Sequence, residues 1–187
     1  GNIKGIDLKH YDRTPEITEQ AAAIRQKLNL KDDDFTFLFI GRLVGDKGIH
    51  ELVDAFEALS PIYPQIHLIL VGPEEPELDP LKEETRGKIH RIPHIHPVGS
   101  QKDVRPWYAA ANALVFPSYR EGFPNVVIEA GAMGLPSIVT DINGSREIIM
   151  DGVNGVIVPS KDTPALQKAM EEFILQPTQT QVMGQKA

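Results

Sequence analysis

FTFLFIGRLVGDKGIHELVDAFEAL, residues 35–59, decides the fold. Phe35 to Ile40 is a run rich in aromatic and β-branched residues that stops at Gly41, which is how a strand buried on both faces reads. From about Gly48 to Leu59 the period changes. Ile49, Leu52, Val53, Phe56 and Leu59 recur at three- and four-residue spacing, so a helix follows the strand directly. Between them lies Gly41-Arg42-Leu43-Val44-Gly45-Asp46-Lys47-Gly48, with three glycines and two cations between a buried strand and a helix start.

The same alternation continues outward. Strands are predicted at Ile66 to Val71, Ile95 to Val98, Ala113 to Phe116, Ser137 to Thr140 and Gly155 to Val158, most of them stopped by Gly or Pro. Helices are predicted at Gln101 to Asn112, Asn125 to Met133, Ser145 to Met150 and Pro164 to Leu175. Pro106 is tolerable only in a first turn, Pro124 is placed at a first helical position, and Asp162 or Thr163 is the N-cap of the last helix. The acidic segment from Glu74 to Gly87 reads as a loop with a short helix. Six strands alternating with helices make an α/β, doubly wound, mostly parallel six-stranded sheet. Residues 13–176 form that domain, 1–12 read as a linker and 177–187 as a tail without sustained pattern.

Composition narrows the function classes. The 187 residues fit one domain of ordinary size. Zero cysteines exclude disulfides, thiolate nucleophiles and cysteine-ligated metals. A formal net charge of -7 argues against the broad basic face that nucleic-acid binding needs, so no nucleic-acid partner is expected. An anionic ligand would have to be held by local positive charge.

In an open parallel sheet, ligands bind beyond the carboxyl ends of the strands, where strand-to-helix loops converge. The glycine loop at 41–48 reads as a diphosphate grip: glycines let the backbone approach, the helix start offers free N–H groups, and Arg42 and Lys47 supply charge. It is neither a Walker loop nor a dinucleotide fingerprint, and an ordinary βα turn with two solvated cations has the same composition. The second loop, Ser118-Tyr119-Arg120-Glu121-Gly122-Phe123-Pro124-Asn125, runs into the helix that carries Glu129. Glu121 and Glu129 can face one crevice and accept from sugar hydroxyls, although both also suit a helix start for its dipole alone. In the third loop, Asp141 reads as the anchor of its turn.

Taken in order, Gly41-Arg42-Leu43 with Lys47-Gly48, Pro117-Ser118 with Glu121-Gly122-Phe123-Pro124 and Glu129-Ala130, Gly134-x-Pro136, and Asp151-Gly152-x-Asn154-Gly155 resemble the donor half of a retaining glycosyltransferase of GT-B fold, family 4. Lys4-Gly5-Ile6-Asp7 is similar to the Asn-Gly-Val/Ile-Asp after that family's interdomain linker, with Lys where Asn is usual. The resemblance implies a Rossmann-like three-layer sandwich that is the C-terminal half of an enzyme, the N-terminal acceptor domain lying outside this sequence. Arg42 and Lys47 would then hold the donor diphosphate and Glu129 the ribose. Glu121 would meet the transferred sugar, with Gly122, Phe123, Pro124 and Asn125 around sugar or phosphate and Val98 beside the base. Glu121, Arg42 and Lys47 are the candidate catalytic residues. The implied partners are a nucleotide-sugar donor and the acceptor domain, through which the chain can meet a membrane surface. The implied setting is cytoplasmic, with no cofactor and no metal. A GT-B epimerase and a non-catalytic nucleotide-binding module of the same fold would share these motifs.

The remaining signals read as structural. His90, His94 and His96 lack a matching carboxylate pattern and read as solvated strand-edge histidines. Trp107 and Tyr108 read as a core contact, Asp32-Asp33-Asp34 as a solvated turn, and Lys102, Arg105 and Arg120 as surface cations.

Overall fold

The computed structural model describes residues 2–3, 6–7 and 9–187. Lys4 and Gly5 of the Lys4-Gly5-Ile6-Asp7 match lie outside the described residues. The elements in chain order are the two-residue strands β1 (Asn2–Ile3) and β2 (Ile6–Asp7), then α1 (Pro15–Lys27), β3 (Phe35–Ile40), α2 (Ile49–Leu59), β4 (Ile66–Val71) and α3 (Glu83–Arg91). They continue with β5 (Ile95–Gly99), α4 (Arg105–Ala110), β6 (Ala113–Phe116), α5 (Asn125–Ala132) and β7 (Ser137–Thr140). The chain then forms α6 (Ser145–Ile148), β8 (Gly155–Val158), α7 (Thr163–Leu175) and α8 (Pro177–Gln185).

Every residue of β3 and of β4 is buried, as the unbroken apolar runs require of strands covered on both faces. The six-stranded sheet has the order β5-β4-β3-β6-β7-β8 and all its pairings are parallel. β3 therefore lies beside both β4 and β6, and the strand order reverses between β3 and β6. That seam is where such a sheet opens a crevice at its carboxyl edge. Helix α2 buries Ile49, Leu52, Val53, Phe56 and Leu59, the five residues whose spacing predicts it. Pro106 falls in the first turn of α4, as its missing N–H requires. Pro124 is the N-cap of α5 and Asn125 its first helical residue, because ψ of 87° keeps Pro124 outside the helix.

Three segments differ from the sequence-based expectation. The helix predicted at Gln101 to Asn112 is confined to α4, whose N-cap Val104 follows a turn tied by the Asp103 carboxylate to the Arg105 backbone N–H. Helix α1 has no counterpart in the prediction. It buries only Ile17 and Ala21, too narrow a stripe to show as periodicity, and is started instead by the Thr14 hydroxyl accepting from Ile17 N–H. The expected tail at 177–187 is corrected: α8 docks through Thr180 and Gly184, small polar residues that carry no apolar signal. The Thr180 hydroxyl donates within reach of the Gln176 carbonyl at 2.8 Å and the Phe173 carbonyl at 3.2 Å.

Candidate functional site

Close backbone contacts build the carboxyl edge of the sheet. Gly41 N–H donates to the Val71 carbonyl and Gly72 N–H to the Gly99 carbonyl, so the exits of β3, β4 and β5 are stitched side by side. A Cβ on Gly72 would sit 1.8 Å from the Gly41 carbonyl oxygen, so only glycine allows the two exits to approach this closely. Gly48, at φ 77°, caps α2, and a Cβ there would lie 2.0 Å from the Pro117 carbonyl oxygen. The loops after β3 and β6 are thereby pressed together across the seam. Tyr119 N–H donates to the Asp46 carbonyl at 2.8 Å and fixes the same contact from the other side.

On this scaffold Lys47 and Glu121 form an ion pair between the two loops, each side chain 16% exposed. The Ser118 hydroxyl lies 3.0 Å from Oε1 of Glu121, and the Lys47 ammonium stands 5.6 Å from the centre of the Phe116 ring. Arg42 is exposed, and its guanidinium has no hydrogen-bond or ion-pair partner among the described residues. No side chain caps the amino end of α2 or of α5, although in α5 the Val127 N–H already donates to the Pro124 carbonyl at 3.0 Å. Arg42 with no partner among the described residues, Lys47 held by a carboxylate, and two helix starts without side-chain caps make a local positive site in an acidic domain. Such a site can hold a diphosphate.

Glu129 has a different neighbourhood from Glu121. The hydroxyl of Tyr108, a fully buried residue, donates to its Oε1 at 2.7 Å. Burial raises the Glu129 carboxyl above the usual carboxylate range, while the hydroxyls of Tyr108 and Tyr11 pull the other way. The two carboxylates share no partner: Glu121 answers the cation of the first loop, and Glu129 answers two tyrosines.

The other predicted site residues are placed as follows. Gly122 and Asn125 are exposed, Phe123 is half-buried and Pro124 is buried, so the loop before α5 offers its backbone at the surface. Val98, half-buried near the end of β5, accepts from the Gln101 side chain through its carbonyl. It lies on the strand furthest from the seam on that side. Asp141 is held by Arg146 at 3.1 Å, which makes it the turn anchor that its position suggests. Arg105 is tied to Asp103 and Arg120 is exposed.

The reading of the histidines as solvated is corrected for two of the three. His90 is exposed beside Glu74, but His94 stacks on His67 with ring centres 4.0 Å apart, and His96 Nε2 lies 3.0 Å from His67 Nδ1. His67 Nε2 in turn lies 2.9 Å from the Asp34 carboxylate, so Asp34 is no free turn residue. The parallel register of β4 and β5 brings His67 to these partners, and nothing near His94 in the sequence signals it. Asp32 to Asp34 is also the one Asp-x-Asp spacing in the sequence, and it precedes β3, at the opposite end of the strand from the crevice. Among the described residues no group of three or more His, Cys, Asp or Glu side chains is arranged to hold a metal ion.

A cavity of about 930 Å³ also opens at that opposite end, lined in part by Arg13, Arg25, Asp34, Phe35 and Asn112. Its arginines are occupied by helix-end carbonyls, Arg13 by Met133 and Arg25 by Ala110, so this is a braced groove rather than an anion site.

Comparison with known proteins agrees with the geometry. The family model described as glycosyl transferases group 1 matches residues 20–187. The chain is 33% identical over 145 residues to the capsular polysaccharide biosynthesis glycosyltransferase CapM of Staphylococcus aureus, covering 78% of this chain and 38% of that protein. The crystal structure of Anabaena HepE in complex with UDP superposes with a TM-score of 0.83 at 26% identity, over 97% of this chain and 49% of the other. The C-terminal domain of the group 1 protein LpcC from Francisella tularensis shares the fold, with a TM-score of 0.81 at 24% identity over 97% of this chain and 94% of that domain. The chain thus spans less than half the length of the curated relative and about half of the UDP-bound structure.

Proposed function

The chain belongs to the glycosyl transferases group 1 family, and on that premise we propose that it is the donor-binding half of a glycosyltransferase that moves a sugar from a nucleotide-diphosphate sugar to a glycan or lipid-linked acceptor. The observation that carries the proposal is the Lys47–Glu121 ion pair across the seam between β3 and β6, with Arg42, which has no partner among the described residues, on the same loop. Arg42, Lys47 and the starts of α2 and α5 meet the diphosphate. Glu129 accepts from the ribose, and Glu121, beside Lys47, accepts from the transferred sugar with the backbone from Gly122 to Asn125. Val98 and the end of β5 border the base.

In the reaction the bond between the sugar and the diphosphate breaks and its electron pair stays on the leaving phosphate oxygen. The acceptor hydroxyl oxygen bonds the anomeric carbon with configuration retained, and its proton passes to the departing phosphate or to solvent. Charge grows on the diphosphate as the sugar gains oxocarbenium character, and fixed cations act most strongly on charge that develops in the transition state. Arg42 and Lys47 supply that stabilisation without a metal ion. Glu121 and Glu129 do not act as a glycosidase acid and nucleophile, since the leaving diphosphate needs little protonation. The acceptor binds mainly on an N-terminal domain, which is also the part that meets a membrane surface. The setting is cytoplasmic.

The titration that tests this uses calorimetry with UDP, GDP and their sugars on the 187-residue chain. Binding of one nucleotide series, lost in Arg42→Ala and Lys47→Ala, is the expected result. No binding by any of them up to millimolar concentration overturns the proposal. Turnover needs a second assay: the chain alone transfers no sugar, and joining it to an acceptor domain produces transfer whose anomeric configuration proton NMR reads.

A further inference from the structure

Glu129 is held by the hydroxyls of two tyrosines, Tyr108 and Tyr11, rather than by a cation. Tyr108 is fully buried in α4, and its hydroxyl has two acceptors in range, Glu129 Oε1 at 2.7 Å and the Val126 carbonyl at 3.2 Å. A phenol has one proton to give, and the shorter distance to an ionised group takes it. The ring is fixed by an edge contact with Tyr11, whose centre lies 6.4 Å away, and Tyr11 in turn meets His10 edge-on at 5.1 Å. A buried tyrosine with its proton aimed at one carboxylate oxygen fixes the plane of that carboxylate. Tyr11 brings a second hydroxyl to the same carboxylate, and a carboxylate has about four lone-pair sites, so two tyrosine donors leave it acceptor capacity for a ligand.

We infer that Tyr108, seconded by Tyr11, is a positioning residue for Glu129 that sets the chain's preference for a ribonucleotide over a 2′-deoxyribonucleotide. The inference rests on the reading of Glu129 as the ribose acceptor. The physical reason is orientation: with the Tyr108 phenol on Oε1 the plane of the carboxylate is fixed, and its remaining lone pairs are offered to the ribose diol at a set angle. The same donors favour the ionised form of the carboxyl. Its burial works against ionisation, Tyr108 from α4 and Tyr11 and His10 from the segment before α1 work for it, and no other group is resolved as acting on it. Removing the Tyr108 hydroxyl therefore frees the carboxylate to rotate and raises its pKa further, since a donor to the charged form has been lost.

Calorimetry with UDP and 2′-deoxy-UDP, over a series of pH values, tests this on the unaltered chain and on Glu129→Gln, Tyr108→Phe and Tyr11→Phe. The unaltered chain prefers UDP by about tenfold, the size expected for one hydrogen bond to a charged group. Glu129→Gln abolishes most of that preference. Tyr108→Phe lowers it several-fold, leaves 2′-deoxy-UDP binding unchanged, and makes the preference fade at a higher pH than in the unaltered chain. Tyr11 is only half-buried, so Tyr11→Phe, with a smaller effect in the same direction, keeps the test available if Tyr108→Phe does not fold. If Glu129→Gln keeps the preference, the ribose reading of Glu129 fails and takes this inference with it. If Glu129→Gln loses it while both tyrosine variants keep it at every pH, the ribose reading stands and the positioning role is overturned.

Discussion

The Lys47 ammonium is paired with the Glu121 carboxylate across the seam where the sheet reverses its strand order. The carboxylate occupies the cation that a diphosphate would need. On the proposed reading an arriving phosphate would have to displace or share it, so that Glu121 would both hold Lys47 in place and compete for it.

That relationship separates the roles of the two residues. Lys47→Ala should weaken UDP binding by roughly tenfold to a hundredfold, the range of a lost charge-assisted contact. Arg42→Ala should lose a similar amount with no change in melting temperature, since its guanidinium is exposed and bonds nothing in the described structure. Calorimetry paired with thermal unfolding checks both.

Glu121→Gln should behave in the opposite sense toward the bare nucleotide. With the competing anion removed, UDP binds as tightly as before or a few-fold more tightly, while UDP-glucose loses the sugar acceptor and gains nothing from its hexose. A parallel loss for both ligands would show that Glu121 serves the diphosphate site rather than the sugar.

Gly48→Ala should destabilise the chain by more than about 2 kcal/mol, because φ of 77° and the Pro117 carbonyl 2.0 Å from the new Cβ both oppose it. The damage falls on the contact between the two site loops. Chemical denaturation measures the stability, and UDP affinity at low temperature should fall even in the fraction that remains folded.

The Asp34–His67–His96 chain predicts an acid limit to stability. Burial holds His67 below the usual histidine range, against the pull of Asp34, and holds His96 down at about 4, where charge on His67 and His94 also opposes its own. Above pH 6.5 these rings are neutral both folded and unfolded. Below it the unfolded chain takes up protons that the folded chain refuses, so stability falls from pH 6.5 toward pH 4. The loss is on the order of 2 kcal/mol, or about 4–8 °C in melting temperature for a domain of this size. His96→Gln should flatten the profile over that window; an unchanged slope would remove the histidine chain as its cause.

How much of this was legible beforehand follows from the kind of signal each part leaves. The six strands show because buried runs such as Phe35 to Ile40 and Ile66 to Val71 need no partner to be recognised, and α2 because five residues repeat at helical spacing. The site loops are legible for the same local reason, with glycines and cations placed at strand exits. What stays hidden depends on pairing between distant residues. His67 reaches His96 only through the register of β4 on β5, and Tyr108 reaches Glu129 only through the packing of α4 beside α5. Helices α1 and α8 are hidden for another reason: α1 buries only Ile17 and Ala21 and α8 only Thr180 and Gly184, too few apolar positions for a stripe to mark either.

A structure of the chain grown with UDP tests the account most directly. The diphosphate should lie at the carboxyl edge of the sheet between Arg42 and Lys47, with its oxygens facing the first turn of α2 or α5 and the ribose against Glu129. A nucleotide bound elsewhere, for instance in the groove between Arg13 and Arg25 at the opposite end of the strands, would contradict it.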